Sequence, residues 1–546
     1  MDYPPHHYAG DGDKKTNTND DLRGNVALNS ADDLLGAMGY ESELVRNRST
    51  LQVAFMSFVL ASIPYGLATT FYYPLVGGGP TTIIWGWLAV STIILCVGVS
   101  LGEITSVYPT AGGVYYQTFM LSPAGCRKIM SWICGWSYVV GNITITLSVN
   151  FGTTLFLIGC INVFESQAAT ETAPAVGIWE AETYQIFLTF VAITVLCNLV
   201  SALGNQWLPW LDTFAIFWTF VGVICIVVCV LALAKAGRRD AEFVFTEFQP
   251  QSGWPDGWAF CVGLLQAAYA TSSTGMIISM CEEVQNPSVQ VPRAMVGTIM
   301  LNTICGAGFL LSLLFVLPDI TMLANLASGQ PTPVIISMAV GSKGGAFALL
   351  VPLIVLAIFC GIGCTTAASR ATWAFSRDGA IPGSKWWKQI HKGLDVPLNA
   401  MLLCTTIQIL LGLLYFGSSA AFNAFSGVGV ICLTVSYAVP IAVSLIGGRS
   451  HISMGKFDMG KLGLVCNFVA LAWSALAIPL FCMPSTIPVA AETMNYASAV
   501  LVAFFLVAGL WYFVWGKQNY AGPPVQDDAA IDRRTSRISS AHQHPF

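Results

Sequence analysis

Apolar runs of about 20 residues recur along most of the chain. Each run is long enough to cross a bilayer, because a helix rises about 1.5 Å per residue and the hydrocarbon core is about 30 Å thick. The pattern predicts an all-α polytopic membrane protein with twelve spanning helices. The expected bounds are Leu51–Val76, Thr82–Leu101, Lys128–Ile158, Tyr184–Ala202, Leu211–Ala234, Trp258–Met280, Ala294–Leu317, Phe347–Phe375, Leu398–Phe416, Phe422–Ile446, Leu462–Cys482 and Tyr496–Trp515.

The first run is interrupted near its middle by Ser62-Ile63-Pro64-Tyr65-Gly66. A proline and a glycine this close together release backbone groups that hydrocarbon cannot satisfy. Such a break therefore persists only where protein or a polar cavity receives it. A simple proline kink is the alternative interpretation of this run taken alone.

The sixth run carries small and polar residues at a matching depth, from Gln266 to Gly275. Five spans separate the two interruptions, so they enter the membrane from opposite sides. This pattern indicates an inverted-repeat transporter with a binding site near the midplane. The alternative is that the hydroxyls bond to carbonyls of their own helix and only bend it. The predicted substrate-binding residues are Ser62, Ile63, Tyr65, Gly66, Tyr269, Ala270, Thr271, Ser272, Ser273, Thr274 and Gly275.

Composition and charge agree with this class of protein. The chain is 55% hydrophobic and 10% charged, whereas soluble domains carry roughly 25% charged residues. Lysine and arginine concentrate in the loops on the side of the termini, which predicts that both termini are cytoplasmic. No signal peptide precedes the first span, which is expected to act as its own insertion signal. The plasma membrane is the favoured location, and an internal membrane stays open.

Several polar residues are candidates for an ion, coupling or gate function. Glu282 or Glu283 could pair with Arg293 or another arginine to hold a gate on the cytoplasmic side, although a solvated structural pair is an equal alternative. Hydroxyls and amides inside spans need partners within the bundle, and a carboxylate can carry a proton. The further candidates are Glu103, Asn142, Asp212, Thr365 and Thr366.

The histidines argue against a membrane enzyme. All of them lie in expected tails or loops, without metal-ligand spacing and without a nucleophile beside a base. The cysteines lie mostly inside spans and are interpreted as small buried apolar residues. We therefore expect no cofactor, no metal and no nucleic-acid partner. The expected partners are a small-molecule substrate, a co-transported proton and the lipid bilayer, and the sequence leaves the oligomeric state open.

Ordered blocks along the chain resemble a known family, the fungal amino acid/choline transporters, which include GABA permease-like proteins. That family belongs to the amino acid/polyamine/organocation superfamily. The likeness covers roughly Gly39–Pro523. The blocks are Gly39-Tyr-x-Ser-Glu-Leu, Leu75-Val-Gly-Gly-Gly-Pro80, Trp85-Gly-Trp87, Ser100-Leu-Gly-Glu-Ile, Tyr108-Pro-Thr-Ala-Gly-Gly-Val-Tyr-Tyr116, Cys281-Glu-Glu-Val-Gln-Asn-Pro and Ser376-Arg-Asp-Gly-Ala-Ile-Pro.

The resemblance implies a five-plus-five inverted repeat, as in LeuT-like folds, followed by two accessory helices. The expected organisation is a tail over 1–49, with a disordered part and a short amphipathic part read as a solvated arm, then a transporter domain over 50–516 and a second cytoplasmic tail over 517–546. Within the domain, the first repeat covers about 51–234, the second about 258–446 and the accessory helices about 462–515.

The resemblance also implies alternating access and a substrate held between helices one and six. Free amides around Tyr65 and Gly66 would hold a carboxylate, and carbonyls around Tyr269 to Thr271 would hold an ammonium group. Helix five lacks the lysine that some superfamily members have, so Asp212 is a possible substitute in proton coupling. Small hydroxyl residues in the helix-six break predict a roomy, polar pocket.

The main functional hypothesis is proton-coupled transport of a small amino acid or similar zwitterion such as GABA. No Asp or Glu is expected at mid-depth in helices one, three, six, eight or ten, whereas a polyamine dication would need carboxylates there. The first alternative is choline or another organocation held by cation–π contacts. A non-transporting nutrient sensor is a remote alternative. The aromatic residues considered for choline are Tyr65, Trp136, Tyr138, Tyr269 and Tyr437.

Overall fold

The structure is a computed structural model that describes residues 31–44, 46, 48–167, 176–235, 237–326, 329–417, 419–490 and 494–524. It has twelve helices long and apolar enough to cross a membrane, which confirms the predicted number. We number them span 1 to span 12. Their bounds are Leu51–Thr69, Pro80–Val107, Arg127–Ile161, Thr183–Leu203, Leu208–Leu233, Asp256–Glu283, Pro287–Leu314, Lys343–Arg377, Leu398–Phe416, Ala424–Ile446, Gly460–Leu480 and Ala497–Asn519.

Shorter elements connect the spans. One antiparallel strand pair, Glu165–Gln167 with Val176–Gly177, follows span 3. Span 10 is the main part of the helix Ser419–Ile446. The short α-helices are Ala31–Ala37, Tyr72–Gly78, Gly113–Leu121, Ala241–Thr246, Ile320–Ala324, Pro331–Val340 and Ser384–Trp387, and a 3₁₀ turn covers Ile452–Met454.

Prolines explain two helix starts. Pro80 opens span 2 directly after Gly79, whose φ of 68° is left-handed, and a proline suits the first helical position because its missing N–H is not needed there. Pro287 opens span 7, and Pro292 lies inside that helix. The predicted start at Ala294 was therefore wrong by two turns, because Pro287 begins the helix instead of separating it from span 6.

Span 1 is broken at a single residue. The helices Thr50–Ala61 and Ile63–Thr69 meet at Ser62, which has φ 40° and ψ 49°. This left-handed conformation is rare for a residue with a side chain. Pro64 follows in the first turn of the second helix. The predicted interruption is therefore present, and it is a true change of backbone direction.

Span 6 differs from the prediction of an open break. Its α-helices Asp256–Gly263 and Leu265–Thr271 lead without a loop into a 3₁₀ helix, Ser272–Glu283. Runs of 3₁₀ helix beyond three or four residues are uncommon and often mark a strained or functional segment. The polar stretch therefore changes the type of helix where the sequence suggested unwinding.

The described ends of the chain meet on one side of the bundle, which we call the terminal side. A Cβ atom on Gly39 would lie 2.9 Å from the side chain of Pro524. The described residues between 31 and 49 pack against this side, with Leu35, Tyr40 and Arg48 buried. The prediction of a solvated arm was wrong for this segment, because tertiary contacts order a stretch whose composition is largely polar. Residues 1–30, also assigned to the tail, lie outside the described residues.

Candidate functional site

The two interrupted spans touch at the middle of the bundle. A Cβ atom added to Gly66 would lie 3.2 Å from the Cβ atom of Ala270. One turn away, the Gln266 side chain donates a hydrogen bond to the carbonyl of Leu67 at 2.8 Å. Glycine at position 66 thus permits the close approach of spans 1 and 6, and it brings the predicted residues of both together.

Backbone donors at the span 1 break are fewer than the sequence suggested. The Gly66 N–H donates to the Ser62 carbonyl at 3.0 Å, so it is not free for a carboxylate. The Ser62 hydroxyl donates to the carbonyl of Val59. The expectation of a free Gly66 amide was therefore wrong, because the second helix takes up that donor in its first turn.

Hydroxyls in span 6 bond mainly to their own helix. Thr271 donates to Ala267 O at 2.7 Å, Ser272 to Tyr269 O at 2.8 Å and Thr274 to Thr271 O at 2.8 Å. The side chains of Ser272, Ser273 and Thr274 are buried. The carbonyls of Tyr269 and Thr271 therefore already accept hydrogen bonds in this conformation. This is the alternative in which serine and threonine stabilise a distorted helix.

A large, partly polar cavity has a volume of about 370 Å³ and opens on the side opposite the termini. Of the eleven predicted binding residues, Tyr269 lines it. None of the described lining residues carries a charged side chain. The polar and aromatic members of the lining include Thr69, Thr70, Tyr72, Tyr73, Ser148, Phe151, Tyr269, Gln330, Ser426 and Asn495.

The other predicted binding residues lie around the cavity without reaching it. Thr271, Ser272, Thr274 and Gly275 border a smaller void of about 20 Å³ beside Tyr437. Ile63 borders another of about 10 Å³. These voids are close to the size of single water molecules. In this conformation one face of span 6 borders the large cavity, and the other face is buried.

Aromatic residues proposed for a choline cage are dispersed. Tyr65 donates its hydroxyl proton to Val149 O at 2.8 Å, Tyr138 to Gly275 O at 3.2 Å and Tyr437 to Ser272 O at 3.1 Å. Trp136 lines a different cavity, away from the site. Tyr269 alone among the five lines the large cavity, so these five residues do not form a cage here.

The terminal side is closed by buried ion pairs. The guanidinium of Arg48 contacts Asp212 at 2.9 Å and Glu283 at 3.2 Å, and Arg370 contacts Glu283 at 2.8 Å. Burial by itself lowers the pKa of Arg48, but Glu283 and Asp212 together raise it above its usual value. Arg48 and Glu283 together thus tie the segment before span 1 to spans 5, 6 and 8.

A second cluster lies beside the first. Arg377 contacts Glu282 at 2.9 Å and lies over the ring of Tyr40, 4.0 Å from its centroid. The hydroxyls of Tyr40 and Tyr115 donate to Asp378 at 2.9 and 2.8 Å. Burial raises the pKa of Asp378 to about 6, and Arg377 opposes this shift. The N-terminal segment is therefore part of the closure.

Both predicted gate acids lie in these clusters, and each pairs with an arginine other than Arg293. Glu282 and Glu283 are buried, whereas Arg293 is exposed and has no acidic partner among the described residues. The solvated-pair alternative was wrong for both acids. Arg48, Arg370 and Arg377 were missed as partners. Arg370 could have been found, because an arginine inside an apolar span is costly and usually functional.

The remaining candidates do not line the large cavity. Glu103 contacts Arg449 at 3.0 Å and accepts from the amide of Met459 at 2.9 Å. This pair ties span 2 to the connection before span 11, so it is structural in this conformation.

The amide and hydroxyl candidates lie on spans 3 and 8. Asn142 donates to Tyr138 O at 2.7 Å, and the Thr366 hydroxyl is 2.7 Å from that of Ser201. The Asn142 carbonyl oxygen and the Thr365 hydroxyl are buried and have no hydrogen-bond partner among the described residues. These two orphaned groups remain candidates for an ion or a water molecule.

Comparisons with known proteins agree with this architecture. A family model for amino acid permeases matches residues 49–505. The choline transporter of Saccharomyces cerevisiae is 28% identical over 505 residues, which cover 92% of this chain and 87% of that protein. The GABA-specific permease of the same yeast is 29% identical over 497 residues, covering 90% and 85%. An amino-acid permease of Arabidopsis thaliana is 30% identical over 503 residues, covering 90% and 96%.

Proposed function

The chain belongs to the amino acid permease family, and from this premise we propose that it carries a small amino acid or similar zwitterion, such as GABA, by alternating access. Members of this family are transporters, so the hypothesis of a membrane enzyme is excluded. Family membership alone does not give the substrate class, because similar proteins are named for amino acids, GABA or choline.

The observation that carries the proposal is the uncharged lining of the 370 Å³ cavity. This volume is at the lower end of the usual range for small-molecule sites. Hydroxyls, amides and aromatic rings can solvate both ends of a zwitterion, whose net charge is zero. A dication held there without a carboxylate would pay a large desolvation cost. Tyr269 connects this cavity to the junction of spans 1 and 6.

The two sides of the bundle support alternating access. The cavity opens away from the termini, while buried ion pairs close the terminal side. The excess of lysine and arginine near the termini supports a cytoplasmic assignment for that side, so this conformation would face outward. We propose the plasma membrane as its location, with protons as the coupling ion and Asp212 as the first candidate carrier.

The test is an uptake assay in cells that lack their own transporters. The panel contains labelled amino acids, GABA, choline and spermidine at pH 5 and pH 7, with surface labelling to measure the amount of protein. We expect uptake of at least one zwitterion that increases at pH 5. Uptake of spermidine alone would contradict the zwitterion proposal, and equal uptake at both pH values would contradict proton coupling. Uptake of nothing would favour the sensor alternative.

Choline stays as a second candidate because aromatic residues other than those predicted line the cavity. Tyr72, Tyr73 and Phe151 join Tyr269 there, and aromatic rings stabilise quaternary ammonium groups. Competition decides between the candidates. If unlabelled choline displaces labelled GABA no better than glycine betaine does, the zwitterion is favoured. Uptake displaced by choline alone would overturn that assignment.

A further inference from the structure

A second cavity of about 320 Å³ lies between spans 3, 8 and 9, apart from the proposed transport pathway. Its walls are almost entirely apolar and include Val140, Leu403, Ile407 and Leu411. Leu402 and Leu410, on the same helix as the last three, are exposed at the outer surface of the bundle. The cavity is therefore at the lipid-facing surface of the protein.

The dimensions of this cavity fit an acyl chain. It extends along span 9 from Leu403 to Leu411 and along span 3 from Trp136 to Thr144, which is about 12 Å in each helix at 1.5 Å per residue. Half of the hydrocarbon core measures about 15 Å. The cavity thus covers most of the depth of one leaflet, on the terminal side.

One aromatic ring marks the depth of the cavity wall. The ring of Trp136 lines the cavity, and its indole N–H is buried and donates to no described residue. Span 3 has 35 residues and is about 52 Å long, so roughly 11 Å extends beyond a 30 Å core at each end. Trp136 lies about 13 Å from the start of span 3 at Arg127. Its ring is therefore near the membrane interface, where tryptophan is common.

Positive charge lies on the connection that supplies Pro382 and Trp387 to the cavity wall. The connection between spans 8 and 9 carries Lys385, Lys388 and Lys392, which are exposed and have no ion-pair partner among the described residues. Trp386 beside them is 67% exposed, as expected of an interfacial anchor. The backbone of the connection is held in place, because Trp387 donates to Pro382 O at 2.8 Å and Trp373 to Lys388 O at 3.1 Å.

We propose that this cavity is a binding site for an anionic phospholipid of the leaflet on the terminal side. One acyl chain fills the apolar groove beside the Trp136 ring, and the head group lies among the lysines. Basic pockets between spanning helices on the cytoplasmic side suit anionic head groups, because that leaflet carries the negative surface charge. A lipid held here also rests against Thr372, Ile381 and Pro382, which flank the Arg377 and Asp378 cluster.

The test uses the full chain, purified in mild detergent and titrated with phosphatidylserine or phosphatidylcholine under native mass spectrometry. We expect a bound phosphatidylserine that phosphatidylcholine does not replace. The variant Lys385→Gln with Lys388→Gln lowers this preference by about 30-fold, the effect of two lysines near an anionic surface. The matched control, Lys456→Gln with Lys461→Gln, removes two exposed lysines just before and at the start of span 11, on the same side, and leaves binding unchanged.

Two further variants test the groove. Ile407→Trp fills it and abolishes the bound lipid, whereas Trp136→Phe keeps an aromatic ring in the wall and leaves the lipid bound. Equal binding of both lipids to the unmodified protein, or a lipid that persists in Ile407→Trp, would overturn the proposal. So would a protein dimer that Ile407→Trp converts to monomers, because a second copy would then cover the groove.

Discussion

The two ends of this bundle differ in the polar groups that they bury. The cavity on the open side is lined by hydroxyls, amides and aromatic rings without a charged side chain among the described residues, whereas the closed side buries Arg48, Arg370, Asp212 and Glu283 in one network. Burying charges is costly unless they are paired and hydrogen-bonded. The difference indicates that the uncharged end is suited to hold a substrate and release it, while the charged end is suited to close.

The charged end is also suited to reopen. Separated ions regain hydration when water enters, so the desolvation cost of the closed state is recovered in the open state. An apolar plug of the same size would lose free energy in water and gain nothing in return. A network of ion pairs can therefore be closed and opened with similar free energies, which alternating access requires.

The largest expected effect comes from removing the shared acid of the closed end. Glu283→Gln leaves Arg48 and Arg370 buried with too little compensating charge, which typically costs about 3–5 kcal/mol. We expect uptake to fall by more than about 100-fold at equal surface amount. The control is Arg293→Gln, which removes an exposed arginine on the same side. Normal uptake by Glu283→Gln would show that the network is not the gate.

A similar loss of uptake is expected when the contact between spans 1 and 6 is disrupted. Gly66→Ile places a branched side chain where even a Cβ atom lies 3.2 Å from Ala270, so spans 1 and 6 must separate. We expect uptake to be abolished while the protein still reaches the membrane. In Gly297→Ile, the added Cβ meets no atom within 4 Å, and transport should persist. Unchanged uptake by Gly66→Ile would remove this contact from the mechanism.

An intermediate effect should follow when the uncharged end receives a charge. Ser148→Asp introduces a carboxylate into the cavity lining. We expect zwitterion uptake to fall by about tenfold and spermidine to become a better competitor. The new carboxylate repels the carboxylate of the zwitterion and attracts the ammonium groups of spermidine. Ser148→Asn, which has nearly the same shape without the charge, is the control. The same change in preference in both variants would mean that shape decides selectivity.

The smallest effect concerns Asp378, which accepts a hydrogen bond from Tyr40 of the N-terminal segment. The pKa of Asp378 is raised from 3.8 to about 6, so the folded protein binds its proton more tightly than the unfolded chain does. Its contribution to the free energy of unfolding therefore falls as the pH rises from about 4 to about 6. Melting temperatures of the wild type and Asp378→Asn between pH 4.5 and 7 should diverge by a few degrees. Parallel curves would contradict this titration.

The sequence predicted the elements far better than their contacts. Apolar runs located all twelve spans because bilayer thickness fixes their length, and Pro64 with Gly66 located the break in span 1. The form of span 6 could not be predicted, since whether Ser272 and Thr274 face a substrate or their own helix depends on packing.

Long-range contacts were beyond sequence reasoning. Gln330 and Asn495 reach the cavity from connections far apart in the chain, and Arg48 lies 235 residues before its partner Glu283. Charge alone could not select partners among many lysines and arginines. The buried N-terminal segment was also missed, because its polar composition is typical of a free tail.

Ser62 allows the helix Thr50–Ala61 of span 1 to move as one rigid unit. Since a single residue separates the two helices, a change in its two dihedral angles swings Thr50–Ala61 as a rigid arm about 18 Å long. A rotation of about 20° moves the far end by about 6 Å, which is enough to carry Arg48 beyond the 3.2 Å that joins it to Glu283. A small torsional change at mid-membrane thus becomes a large displacement at the terminal side. Spin labels at positions 46 and 205 that report one fixed distance throughout transport would contradict this lever.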